Sequence, residues 1–162
     1  FSGKPTCLLP ACYPDVVFMH VHRCDKFGNC QIDGIIIEDF ELARAARRLI
    51  VTTEEIIDEE TIRNQPWRTA IPFYLVDAVV TVPYGSHPGN MPYLYYSDEE
   101  HMAEWLELSR TPEGVKQYLE KYVFGVKNFE EYLELIGGAK KLNYLKQVEQ
   151  LKAPLKAPWA ER

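Results

Sequence analysis

The sequence predicts an α/β fold that runs into a helical C-terminal half. Short β-branched runs alternate with helical stretches up to Pro83, a loop rich in Gly, Pro and Tyr then closes that alternation, and three helix-capping signals follow it. At 162 residues the chain suits one well-buried core. It is read as a single domain or half-domain over 1–162, with an α/β part at 5–90 and a helical part at 97–152.

Asp15 to His22, DVVFMHVH, is β-branched, aromatic and short, as a buried strand is. DKFGN supplies turn residues and CQIDG a returning strand, which makes a hairpin. From Glu38 to Arg48, Leu42, Ala43, Ala46 and Leu49 fall on one helical face, opposite Arg44, Arg47 and Arg48, with acids at the front of the dipole. LIVTTEEI is a strand, DEETIRN a helical turn, Pro66 to Pro72 an irregular loop, and DAVVTVP, Asp77 to Pro83, another strand. This order implies a covered, partly parallel sheet. YGSHPGNMPYLYY is an ordered loop. Ser97 with Glu100 predicts a capping box for a helix through Leu108; Thr111-Pro112-Glu113 opens a second helix that Gly125 ends, and Asn128 with Glu131 a third that stops at Gly137-Gly138. The tail LKAPLKAPWAER, with two Ala-Pro breaks, is expected to wrap over the surface or fray.

Bulk properties exclude several function classes. The apolar runs are too short to cross a bilayer. A formal net charge of -6 with dispersed Lys and Arg argues against a nucleic-acid partner. The opening FSGKPTCLLPA lacks the pattern of a secretory signal, and a chain that starts at Phe1 reads as a fragment or processed product. All four cysteines, Cys7, Cys12, Cys24 and Cys30, lie in the first thirty residues, which is not a disulfide-stapled layout and suggests a reducing cytoplasm.

Four constellations invite chemistry. HVHRCDKFGNC would place His20, His22 and Cys24 on one strand face, yet no CxxC occurs and the Cys spacing is poor for zinc, so no metal is expected. GSHPG follows an apolar strand, where open α/β sheets carry ligand crevices; its glycines permit close backbone approach and His87 offers a hydrogen bond, although the same residues would also serve merely to turn the chain. Glu54 and Glu55 are adjacent on a strand, so only one can face a cleft, as an acid, base or nucleophile or as the partner of a nearby Arg. The tyrosines 93, 95 and 96 could line a pocket or pack on the core.

Taken in order, PDVVFMHVHRCDKFGNCQIDG, ELARAARRLIVTTEEIID and IPFYLVDAVVTVPYGSHPG resemble the C-terminal half of the alpha subunit of family I coenzyme A transferases. The likeness covers roughly residues 5 to 150, and the PYGSHP loop and KYVFGVKNFEEYLELIGG look closest to the glutaconate branch. The resemblance implies an α/β/α sandwich of the coenzyme A transferase (NagB/RpiA-like) type, with the C-terminal half of the sheet and several C-terminal helices in this chain. It implies ping-pong transfer of coenzyme A between an acyl-coenzyme A and a small carboxylic or dicarboxylic acid through a glutamyl thioester. The nucleophilic glutamate is expected on the beta subunit, so no catalytic residue is assigned here, and Glu54 and Glu55 are not promoted to that role. Carried over as substrate-binding are Gly85, Ser86, His87 and Pro88. The implied partners are the N-terminal half of the alpha subunit, the beta subunit, and the acyl-coenzyme A and carboxylate substrates, with no nucleic acid, no membrane and no permanently bound cofactor. Without those partners the chain is expected to be inactive and to expose strand edges and apolar surface. Two alternatives stand beside this reading: a ring-opening acyl-coenzyme A hydrolase subunit of the same fold, and a non-catalytic half-domain that binds acyl-coenzyme A or a partner.

Overall fold

The computed structural model describes residues 3–156, so the end of the tail lies outside the described residues. The chain forms two compact units, divided between Gly85 and Ser86.

The first unit is built on a five-stranded sheet. Its strands are β1 (Val17–Cys24), β2 (Cys30–Gln31), β3 (Leu49–Ile56), β4 (Thr69–Ile71) and β5 (Ala78–Thr81), in the order β4-β2-β1-β3-β5. β1, β3 and β5 run parallel, with Val17 opposite Leu49 and Ile50 opposite Ala78, while β2 and β4 are antiparallel additions. Side chains alternate across the sheet, so Met19, Val21, Leu49 and Val51 share the core with Ala43 of helix α1 (Asp39–Ala45) and with Ile71. Phe18 points the other way and is 72% exposed.

The hairpin after β1 is fixed by one carboxylate. Asp25 is fully buried, and its Oδ1 accepts from the Phe27 and Asn29 N–H groups while its Oδ2 accepts from Asn29 Nδ2. Gly28 has φ +99°, and a Cβ there would sit 2.9 Å from Val76 Cβ, so DKFGN needs its glycine for both shape and space. The Pro66 to Pro72 stretch is more ordered than its composition predicts. A 3-10 turn, Pro66–Arg68, leads into β4, which pairs Ile71 with Cys30 and Thr69 with Gln31. Three residues between prolines carry no readable alternation; the strand exists because β2 offers it a partner. Helix α2 (Glu59–Asn64) starts where Asp58 accepts from the Thr61 N–H.

The second unit is helical: α3 (Glu99–Leu108), α4 (Pro112–Leu119) continuing through a π-helical turn (Glu120–Phe124), α5 (Phe129–Leu135) and α6 (Gly138–Glu149). Thr111 and Asn128 cap α4 and α5 as predicted, through the Gly114 and Glu131 N–H groups. At α3 the cap is Asp98, one residue past the expected Ser97, because the carboxylate reaches the His101 N–H while Ser97 Oγ donates to Glu99 instead. Gly137, at φ +121°, ends the α5 segment and admits α6. Among the described residues no helix is long and apolar enough to cross a membrane.

Candidate functional site

The boundary between the two units falls inside the GSHPG segment, after Gly85, and the residues on either side of it are held by different devices. In the first unit, the parallel strands present their C-terminal ends together, the usual place for a ligand crevice in such sheets. Midway along their own strands, but level with the C-terminal end of the shorter β5, β1 supplies His20 and β3 supplies Thr52, with Glu54 two residues on. His20 Nδ1 lies 2.8 Å from Thr52 Oγ1, and Nε2 lies 2.8 Å from Glu54 Oε1. The second oxygen of Glu54 accepts the backbone N–H of Tyr84 at 2.8 Å. Tyr84 is held at φ +64°, a region costly for a non-glycine residue. The next residue, Gly85, lies so close to the histidine that a Cβ would meet His20 Cε1 at 2.7 Å. Of the adjacent glutamates, Glu54 is thus the one turned into structure, and Glu55 is exposed. Glu54 pairs with a histidine, where the sequence suggested an arginine.

His22 and Cys24 do other work. His22 Nδ1 accepts the Asp33 N–H at 3.1 Å. Cys24 and Cys30 face each other across the hairpin, both fully buried free thiols. Their mutual hydrogen bond and burial push the Cys30 thiol well above its ordinary range. Cys7 and Cys12 are exposed. The strand-face geometry therefore does not gather His20, His22 and Cys24 into one ligand set.

In the second unit, Ser86 donates its N–H to Tyr95 Oη at 3.1 Å and its hydroxyl to the Asn90 carbonyl at 2.9 Å. Tyr95, almost fully buried, is scaffolding for the loop, whereas Tyr93 is 70% exposed. His87, followed by a cis peptide to Pro88, has both ring nitrogens engaged: Nδ1 with Tyr132 Oη at 2.6 Å and Nε2 with Asp98 Oδ2 at 3.2 Å. Asp98 also accepts from Lys141 Nζ at 2.9 Å and from the His101 N–H at 3.2 Å. Burial alone would raise the Asp98 pKa, but hydrogen bonds from His87, Lys141 and His101 outweigh it and bring the carboxyl down to about 2. With Asp98 ionised, the tautomer that fits has His87 Nε2–H donating to the carboxylate and Nδ1 accepting from the Tyr132 hydroxyl. Burial pushes the Tyr132 phenol up and His101 down, so both stay neutral near pH 7.

His87, Asp98 and His101 bring possible metal-ligand atoms within 4.8 Å of one another. The charge and hydrogen bonding of the set are already met from within, by the Lys141 ammonium on Asp98 and by the Tyr132 and Tyr118 hydroxyls on the two rings. The arrangement fits a proton-ordered polar network better than a cation site.

Beside this network lies a cavity of about 470 Å3, walled by His87, Pro88, Tyr118, Tyr122, Phe129 and Tyr132 among others. The sequence pointed to His87 and Pro88 but not to these aromatics. Tyr118 and Tyr122 are four apart in a helical stretch, hence on one face, and that spacing is the signal that could have found them.

Residues 1–81 match the family model of the coenzyme A transferases. The A-type subunit of glutaconate CoA-transferase from Acidaminococcus fermentans is 35% identical over 87% of this chain and 44% of that protein. An uncharacterized protein of Archaeoglobus fulgidus is 63% identical over 98% of this chain and 36% of its own length. The crystal structure of glutaconate coenzyme A-transferase from Acidaminococcus fermentans superposes with a TM-score of 0.82 at 34% identity, covering 95% of this chain and 48% of that one. The chain thus spans less than half the length of each of these relatives.

Proposed function

The chain belongs to the family I coenzyme A transferases, on the alpha-subunit side, and from that premise we propose that it forms part of a heteromeric enzyme moving coenzyme A between an acyl-coenzyme A and a small carboxylic or dicarboxylic acid. The reach of the structural likeness carries the reading. The family model ends at residue 81, whereas the match to glutaconate coenzyme A-transferase takes in 95% of the chain. That relative is an alpha-type subunit, so the proposed partners are a beta subunit, together with the remainder of the alpha subunit, in a reducing cytoplasm suited to the buried free thiols Cys24 and Cys30. Coenzyme A enters as a substrate, and no permanently bound cofactor is invoked.

In the proposed reaction a glutamate carboxylate on the partner beta subunit is the nucleophile. It adds to the thioester carbonyl, and the coenzyme A thiolate leaves to give an acyl-glutamyl anhydride. The thiolate then attacks the glutamyl carbonyl and expels the first acid, leaving a glutamyl-coenzyme A thioester. A second carboxylic acid runs the same steps in reverse. This chain contributes the substrate-side loop Gly85, Ser86, His87 and Pro88. Glu54 fixes the Tyr84 backbone and His20 fixes where Gly85 can lie. With both nitrogens of His87 engaged, its contribution is to hold the loop and the Tyr132 hydroxyl in place.

The test is to co-express the complete alpha subunit with the partner encoded beside it, incubate with acyl-coenzyme A, and seek by mass spectrometry a borohydride-sensitive glutamyl thioester. A single glutamyl adduct on the beta subunit is expected. Activity with no adduct on either chain would sink the transferase reading, and thioester loss that needs no acceptor acid would assign hydrolysis instead.

A further inference from the structure

The cavity of the second unit has a chemistry that narrows the substrate. Its walls are ring faces fixed by mutual contacts: Tyr118 and Tyr122 lie 4.8 Å apart between centroids, and Phe129 stacks on Tyr132 at 5.6 Å. The phenol groups are turned to other work. Tyr132 is bonded to His87 and Tyr118 to His101, each at 2.6 Å, and Tyr122 donates to Glu104 at 2.7 Å. Val123 and Val126 complete the apolar lining, and Tyr122 and Val123 come from the π-helical turn, a local distortion often found at functional sites. The cationic side chain of the lining, Lys127, sits 3.7 Å from Glu131, whose carboxylate also accepts the Lys127 N–H at 2.8 Å. That side chain is 87% exposed, so its charge stays in solvent rather than inside the cavity.

A second carboxylate entering this space would lose water and meet no cation held inside it, a costly exchange. A flat or branched hydrocarbon group would lose unfavourable hydration and gain ring contacts. The volume of about 470 Å3 falls within the range of small-molecule sites. We infer that this cavity receives the hydrocarbon part of an apolar monocarboxylic acyl group, aromatic or branched, at one of the two half-reactions, and selects against a dicarboxylic acid there. The inference rests on the transferase reading for the meaning of the site, but not for its binding preference.

The test uses the assembled enzyme and two probes, phenylacetate and glutarate, by isothermal titration and by coenzyme A transfer. Phenylacetate should bind at least about tenfold tighter than glutarate, the factor that one or two desolvated groups supply. Val126→Trp should weaken phenylacetate about tenfold by filling the cavity. Val123→Glu, at a position half exposed and so tolerant of charge, should do the same if the tryptophan variant does not fold. Equal or tighter binding of glutarate, or unchanged phenylacetate affinity in a folded variant, would overturn the inference. Transfer to glutarate but not phenylacetate would likewise sink it and leave the transferase reading standing. Phenylacetate binding that both variants weaken, with no transfer to any acid, would do the reverse.

Discussion

Each unit sets one histidine against one carboxylate, and the two pairs differ in how far water is excluded. His20 and Glu54 approach to 2.8 Å with side chains 13% and 10% exposed; His87 and Asp98 stand at 3.2 Å with 0% and 3%. Distance would rank the first pair as the stronger. Solvation reverses the order, because a buried carboxylate that loses its partners cannot turn to water. Asp98 also carries more of its unit, since it caps α3 and holds Lys141 of α6 as well as His87. Glu54 joins two neighbouring strands and one backbone N–H.

The sharpest way to break this ranking is to remove each carboxylate in turn. Asp98→Ala should cost about 3–5 kcal/mol, the usual penalty for breaking a buried ion pair, because it strips Lys141 of its buried carboxylate and leaves His87 Nε2 and the His101 N–H unpartnered; the readout is the urea midpoint of the helical circular dichroism signal. A loss below about 1 kcal/mol, the scale of a surface pair, would show that water reaches the site. Glu54→Ala should cost less, about 1.5–3 kcal/mol, the worth of hydrogen bonds to a charged group. In the assembled enzyme it should also reduce coenzyme A transfer, because Tyr84 is held at positive φ beside Gly85. Unchanged turnover with lowered stability would return Glu54 to a purely structural role.

The two regions also differ in how much of them could be read in advance. β3 and α2 are legible because their patterns are local: LIVTTEEI matches a strand and DEETIRN a capped helical turn at nearly the observed bounds. β4 was hidden because its existence depends on pairing with β2, about forty residues away in the chain. The same distinction governs the site. Gly85 to Pro88 announced themselves by composition, and their following an apolar strand suggested a crevice. His20 was visible only as part of an apparent metal motif, since its pairing with Glu54 spans 34 residues and needs the parallel register of β1 and β3. Asp98, His101 and Tyr132 converge on His87 from α3, its cap and α5, which no linear spacing reveals.

The smallest effect is the response of the second unit to acid. Burial, followed by the nearby His87, lowers the His101 pKa from its ordinary 6.5, so the unfolded chain binds that proton first. The stability tied to a neutral His101 is whole above about pH 6.5 and declines as the pH falls toward the folded value. Asp98 follows: its pKa of about 2 lies below the ordinary 3.8, so its contribution is present above about pH 4 and is lost as the pH falls through about 2. The groups facing these two are His87, Glu104, Lys121 and Lys141, and the two lysines stay charged throughout this window. The helical melting temperature should therefore decline by a few degrees between pH 6.5 and 5 and more steeply below pH 4. His101→Gln removes the group that titrates in the first step. If the early decline persists in that variant, the proton is taken up elsewhere and burial of His101 is not its source.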